Sequence, residues 1–185
     1  MDAASANSAI NSADSIDFLG QSTLRPARMD DAQGISSLYN FYVKSSTATF
    51  ALEEETLEER RAWLLMHEAK NMPVLVLEMN GRVIGFGSVS PYHNRCGYNQ
   101  TCELSIYVDP VCVSKGLGKL LLDNLVAHCK DKYHVVLALI CSENEASIKL
   151  FASRGFKPVG ELKEVGYKFD RYLSVSILEL LCHAQ

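Results

Sequence analysis

An α/β (α+β) single-domain fold, with a central mixed and mostly antiparallel sheet flanked by helices, is what this sequence predicts. Three observations carry the prediction. Segments of strand-like and helix-like periodicity alternate along most of the chain. Asn80-Gly81 joins two apolar runs, a strong hairpin signal. Val135 to Ile140 is continuously apolar, as in a strand covered on both faces. A chain of 185 residues suits one sizeable core, and no internal repeat or second domain is apparent.

Thr23 to Pro26 reads as a short opening strand. Asp30 with Gln33 is an expected helix start, followed by Ile35, Leu38, Tyr39 and Tyr42 at helical spacing. Thr56 with Glu59 forms a second capping box before a helix running to about Ala69, which Asn71 and Pro73 end. Val74 to Met79 and Arg82 to Ser90 are the hairpin strands. A polar, ring-rich loop from Pro91 to Gln100 leads to an alternating strand, Thr101 to Val108, which Asp109-Pro110 interrupts. Leu117, Leu120, Leu121 and Leu125 give the next helix its apolar stripe. After the buried strand comes a helix over Glu143 to Arg154, stopped by Gly155. Two closing strands are expected, about Lys157 to Leu162 and about Arg171 to Leu180. The folded unit is thus expected over residues 23–185. Residues 1–22, rich in Ala, Ser, Asn and Asp with no basic start or secretory apolar run, read as a disordered leading tail.

The composition excludes several classes. A net charge of −4 gives no electrostatic footprint for nucleic acid. No run of about 18 apolar residues suggests a membrane span. Cys96, Cys102, Cys112, Cys129, Cys141 and Cys182 include no Cys-x-x-Cys pair and have no accompanying His cluster. They read as reduced thiols of a cytoplasmic protein, and no metal is expected.

Two local patterns point to chemistry. Val113-Ser114-Lys115-Gly116-Leu117-Gly118, followed by Lys119, lies between a strand and a helix. Its glycines let main chain approach a ligand, and the helix start presents free N–H groups to an anion such as pyrophosphate. A tight turn alone would account for the same glycines. Downstream of the buried strand comes Asn144-x-x-Ser147, then Leu150, Phe151 and Gly155-Phe156. Together, in this order and spacing, the two patterns resemble the GNAT superfamily of N-acetyltransferases over about Leu24 to Leu180. More extended marks are similar to its phosphinothricin and methionine sulfoximine acetyltransferases. They are Leu24-Arg25-Pro26, Ser46-Thr47-Ala48-Thr49-Phe50, Pro91-x-x-x-Arg95-x-x-Tyr98-x-x-Thr101-x-Glu103, and Ser105-Ile106-Tyr107-Val108-Asp109-Pro110.

The resemblance implies acetyl-CoA as co-substrate. Val113, Ser114, Lys115, Gly116, Leu117, Gly118 and Lys119 would hold its pyrophosphate. The main chain of Ile106, Tyr107 and Val108 would lie along the pantetheine arm, with Asn144 and Ser147 near it. The resemblance also implies that Glu103 is the general base, since an amine arrives as ammonium and must lose a proton before attacking a thioester. Taken without the resemblance, Glu103 better suits an exposed, ion-paired strand residue. A strand that splays from its neighbour after Tyr107 would free N–H groups over Ile106 to Val108 for the developing oxyanion. Arg95 offers a fork for a carboxylate or phosphinate, with Tyr98 beside it and Phe50 and Tyr92 as walls. Arg95 as a solvated loop charge, Phe50 as core and His93 as a surface residue are the competing readings. Two positions depart from the family pattern: Val113, where many members carry Gln or Arg, and Phe151, where many carry the Tyr that protonates the leaving thiolate. The expected reaction is acetyl transfer to a small amino-acid-like amine by a homodimer that binds neither nucleic acid nor membrane. Peptide or polyamine acetylation and non-catalytic acetyl-CoA sensing are the alternatives.

Overall fold

The computed structural model describes residues 19–182; most of the expected leading tail, residues 1–18, lies outside them, as do residues 183–185. Seven strands form one sheet in the order β1-β2-β3-β4-β5-β7-β6. The strands are β1 (Thr23–Pro26), β2 (Val74–Met79), β3 (Arg82–Pro91), β4 (Thr101–Val108), β5 (Val135–Cys141), β6 (Lys157–Lys168) and β7 (Arg171–Leu181). Only β4 and β5 run parallel; the other five pairings are antiparallel, so the mixed, mostly antiparallel sheet is as expected. The helices are α1 (Ala32–Ser45), α2 (Leu57–Ala69), α3 (Leu117–Cys129) and α4 (Glu145–Ala152).

Local chemistry explains most boundaries. Asn80 and Gly81 both take positive φ, 51° and 75°, which the tight β2–β3 turn requires. Thr56 and Glu59 cap α2 reciprocally, as their spacing predicts. The expected box of Asp30 and Gln33 does not form. Met29–Asp31 is a 3-10 turn, and the neighbouring Asp31 accepts from the Arg28 N–H and from the Arg25 guanidinium instead. That near-buried ion pair is the stronger competitor. Helix α4 is shorter than Glu143 to Arg154, because Asn144 caps it by accepting from the Ser147 N–H at 3.1 Å. Strand β6 runs six residues past Leu162, continued through a register shift between Leu162 and Gly166 to a turn at Phe169-Asp170.

The core has two sides. Ile35 and Leu38 of α1 and Leu64 of α2 pack with Val76 and Phe86 on one face of the sheet. Leu122, Leu125 and Val126 of α3 pack with Val89, Leu104 and Val136 on the other, joined by Phe151 of α4. β4 separates the two: Cys102 and Leu104 face α3, and Tyr107 faces the rings of Tyr39, Tyr42 and Phe86. By strand alternation, Glu103 and Ser105 share the face of Tyr107.

Candidate active site

β4 pairs with β5 only from Thr101 to Glu103, after which the strands part. The parting therefore begins after Glu103, four residues earlier than the sequence led us to expect. Along its other edge β4 stays paired with β3 through Val108. The Asp109 N–H donates to the Ile84 carbonyl, so by antiparallel alternation the main-chain groups of Leu104, Ile106 and Val108 point away from β3, towards the gap. The Val108 carbonyl there accepts from the Tyr42 hydroxyl, while the Ile106 and Val108 N–H groups have no strand partner.

Three cavities follow one another through this gap. The first, about 350 Å³, is lined by Ile106, Val108, Val113, Ser114, Gly116, Gly118, Lys119, Asn144 and Ser147, with Tyr42 and Ala48 opposite. Its rim is shaped by Ser114 and Gly116, both at positive φ. A Cβ at Gly118 would come within 3.1 Å of Leu150, so a larger residue would crowd this wall. The second, about 50 Å³, shares Ile106, Asn144, Ser147 and Ala48 with the first and adds Ser105, Tyr107 and Phe151. The third, about 210 Å³, shares Ser105 and Tyr107 with the second and is bounded by Arg60, Glu55, Ser88 and Ser90. Two wider surface depressions, about 560 and 580 Å³, share no lining residue with these three.

Glu103 stands beside this row, two residues before Ser105 on the same face and opposite Ser90 across the ladder. Its carboxylate makes no hydrogen bond or ion pair among the described residues, and burial raises its pKa above the ordinary carboxylate value. Such a group is a poor structural ion and a good proton acceptor. Tyr107, whose ring packs between Tyr39, Tyr42 and Phe86, is held protonated by the same desolvation.

The other residues singled out from the sequence fall in three places. Val113, Ser114, Gly116, Gly118 and Lys119 gather on the first cavity, whereas Leu117 is 1% exposed and belongs to the core under α3. Lys115 is half-buried and not in the lining. Tyr92, His93 and Tyr98 cluster ring to ring in the exposed loop before β4, and Arg95, also exposed, makes no ion pair among the described residues. None of these four lines the three cavities. Phe50 packs against Gly166, where a Cβ would meet its ring at 2.2 Å.

Several contributors escaped the sequence. Lys168, 3% exposed, donates from Nζ to the Ser46 and Thr49 carbonyls at 2.8 Å each, and burial lowers its pKa. Nearby Thr47 donates to Glu143, which Arg171 also grips. These contacts hold the segment carrying Ala48 over the cavities. No local pattern marks Lys168. The alternation Ser88-Val89-Ser90 does carry a signal, since hydroxyls on one face of an otherwise buried strand imply a polar cavity there.

The profile of the acetyltransferase (GNAT) domain matches residues 24–175. The phosphinothricin N-acetyltransferase of Streptomyces coelicolor is 36% identical over 160 residues, 84% of this chain and 94% of that protein. The L-methionine sulfoximine/L-methionine sulfone acetyltransferase of Salmonella typhimurium is 35% identical over 159 residues, 85% and 93% of the two chains. The crystal structure of a GNAT superfamily phosphinothricin acetyltransferase from Sinorhizobium meliloti, in complex with acetyl-CoA, is similar with a TM-score of 0.84 and 29% identity, over 87% of this chain and 88% of that one.

Proposed function

The chain belongs to the acetyltransferase (GNAT) family, and on that footing we propose that it acetylates the primary amine of a small amino-acid-like acceptor, of the phosphinothricin or methionine sulfoximine type, with Glu103 as general base. The observation that carries this reading is the unpaired, desolvated Glu103 carboxylate beside the gap between β4 and β5.

Acetyl-CoA supplies the acetyl group as a thioester. The residues present fit it: glycines and positive φ open the rim of the first cavity, and free main-chain groups line its floor. Ser114 to Lys119 would hold the pyrophosphate by main-chain N–H groups, so Val113 in place of a polar side chain is tolerated. Ile106, Tyr107 and Val108 would lie along the pantetheine arm. Asn144 spends its side-chain oxygen on capping α4, leaving its amide N–H groups and the Ser147 hydroxyl for the ligand. Glu103 takes the ammonium proton, and the unpaired N–H of Ile106 or Val108 faces the oxygen on which charge develops. Tyr92, Arg95 and Tyr98 rim the approach from the loop before β4, and Phe50 backs the wall under Ala48. Phe151 lines the second cavity with no proton to donate, so the thiolate leaves without a dedicated acid at that position.

The active species is proposed to be a homodimer, supported by the exposed apolar side chains along the last hairpin: Val159, Leu162, Val165, Tyr167, Phe169 and Tyr172. No described helix is long and apolar enough to cross a membrane. The six thiols, all free, suit a reducing cytoplasm. Residues 23–185 would be the acetyltransferase domain and residues 1–22 a leading tail.

The test is release of coenzyme A thiol against a panel of phosphinothricin, methionine sulfoximine, ordinary amino acids, polyamines and a short peptide. Turnover with either of the first two is expected. Glu103→Gln should lower kcat by about 100-fold or more while the KM for acetyl-CoA holds. In the native protein kcat/KM should rise with pH along a limb lying above 4.5, because burial raises the Glu103 pKa, and that limb should vanish in the variant. Unchanged turnover of Glu103→Gln at neutral pH removes it from the base role.

A further inference from the structure

The third cavity is the place where the structure holds more than the family reading uses. Its walls are the rings of Tyr39, Trp63, Phe86 and Tyr107, and its polar groups are Arg60, Glu55, Ser88, Ser90 and Ser105. Arg60 is 3% exposed. Its Nε and Nη2 donate to the two oxygens of Glu55 at 2.5 and 2.6 Å. Its plane is fixed by Trp63 and Tyr39, with the guanidinium carbon 4.3 and 4.8 Å from their ring centroids. The Nη1 hydrogens donate to nothing among the described residues. A buried guanidinium with one edge spent on an internal carboxylate and the other edge uncommitted is a donor kept for something else.

Two further donors converge there. The Ser88 and Ser105 hydroxyls make no hydrogen bond among the described residues, although Ser88 is 2% exposed. They sit opposite each other across the β3–β4 ladder, one step along the face from the Ser90 and Glu103 pair. Ser90, by contrast, is committed to the His67 ring at 3.0 Å. The cavity is thus walled by aromatic rings and lined by three residues with uncommitted donors, and Glu103 stands one step further along the same face.

Resting on the reading that the protein is an amine acetyltransferase, we propose that this cavity is the acceptor's specificity site, with Arg60, Ser88 and Ser105 binding the carboxylate of a compact amino acid while its ammonium reaches Glu103. Charge supports this occupant. Arg60 and Glu55 cancel, so the ammonium of a zwitterion meets Glu103 and its carboxylate meets the free edge of Arg60. A polycation would find only one unpaired carboxylate and a guanidinium beyond it. At about 210 Å³ the cavity falls below the usual range for drug-sized ligands, which fits an amino acid and excludes a folded peptide segment. The assignment places the carboxylate clamp inside the sheet face, away from the exposed Arg95.

The double variant Ser88→Ala with Ser105→Ala removes two donors and leaves the Arg60–Glu55 pair intact. Hydrogen bonds to a charged group support an expected rise of about tenfold to a hundredfold in KM for a turned-over amino acid. KM for the same acceptor with its carboxylate capped as the amide should change less than about twofold, and KM for acetyl-CoA should not change. Arg60→Lys, checked for folding by its thermal melt, should show the same split. Equal changes for free acid and amide, or none for either, would overturn the proposal, and a selective loss in Arg95→Ala instead would place the clamp in the loop. Should the native protein turn over no amine, the function reading fails first. Calorimetric binding of the free amino acid to native and double-variant protein then reads the cavity directly: weaker binding in the variant supports it, and equal or absent binding overturns it.

Discussion

His67 shows how much one buried side chain can set. Its Nδ1 lies 2.9 Å from the Trp63 carbonyl, so that nitrogen donates and Nε2 accepts from the Ser90 hydroxyl. The tautomer is therefore fixed and neutral, and burial lowers the imidazole pKa below 6.5. Below that value the unfolded chain binds a proton that the folded one resists. The contribution is thus complete above pH 6.5 and is lost as pH falls through the lower folded value. The urea midpoint should drop as pH is lowered from neutrality through that range, and His67→Gln should flatten this part of the profile. Lys168 is the second such residue. Lys168→Met leaves the Ser46 and Thr49 carbonyls without their donor, and a loss of about 2 kcal/mol in urea unfolding is expected, together with a raised KM for acetyl-CoA as the wall carrying Ala48 loosens. The sequence disclosed neither residue. Each depends on a partner far along the chain, Ser90 for His67 and Thr49 for Lys168, and spacing reports only neighbours.

Elements were far more legible. β2 and β4 begin and end where alternation and turn residues put them, and Thr56 with Glu59 marks the start of α2 to the residue. The failures differ in cause: at α4 the local Asn144 cap trims the expected start, whereas at β6 a tertiary partner outbids the local signal. Asp31, held by the Arg28 N–H and by Arg25, belongs to the 3-10 turn that stands where the Asp30 and Gln33 box was expected, and β7 carries β6 onward past the point where β6's own apolar pattern ends. The glycine loop shows local and tertiary needs agreeing. Gly116 is the N-cap of α3 at φ 83°, and a Cβ there would meet Leu19 at 3.3 Å. Gly116→Ala should cost about 1–2 kcal/mol in stability through the left-handed backbone. It should also weaken acetyl-CoA binding measured by calorimetry, because the loop and the helix start move together. A stability loss with unchanged affinity would separate the loop from the ligand.

For the whole molecule, the sheet is closed on one side and open on the other. β1 is short and ion-paired through Arg25 and Glu78, a protected edge. β6 is twelve residues long and exposed over nearly its whole length. A strand of that kind asks for a covering surface. Sedimentation should therefore find a dimer, and Val165→Glu combined with Tyr172→Glu should yield monomers that still melt cooperatively. A native protein that sediments as a monomer at micromolar concentration removes the homodimer. The site was legible at this scale only in part. The strand, glycine loop and helix that frame the first cavity follow from motifs, whereas the third cavity exists because β3, β4 and α2 meet, which no local pattern records.

The clasp made by Lys168 also has a bearing on how the protein comes into being. Its amine reaches back 119 residues to the Thr49 carbonyl. On the ribosome the segment around Ala48 emerges well before the side chain that secures it. During synthesis the pocket wall must wait, unfastened, until β6 is made. A nascent chain arrested before β6 should bind acetyl-CoA weakly or not at all, even with every glycine of its loop in place, and extension of the same chain through β7 should restore binding.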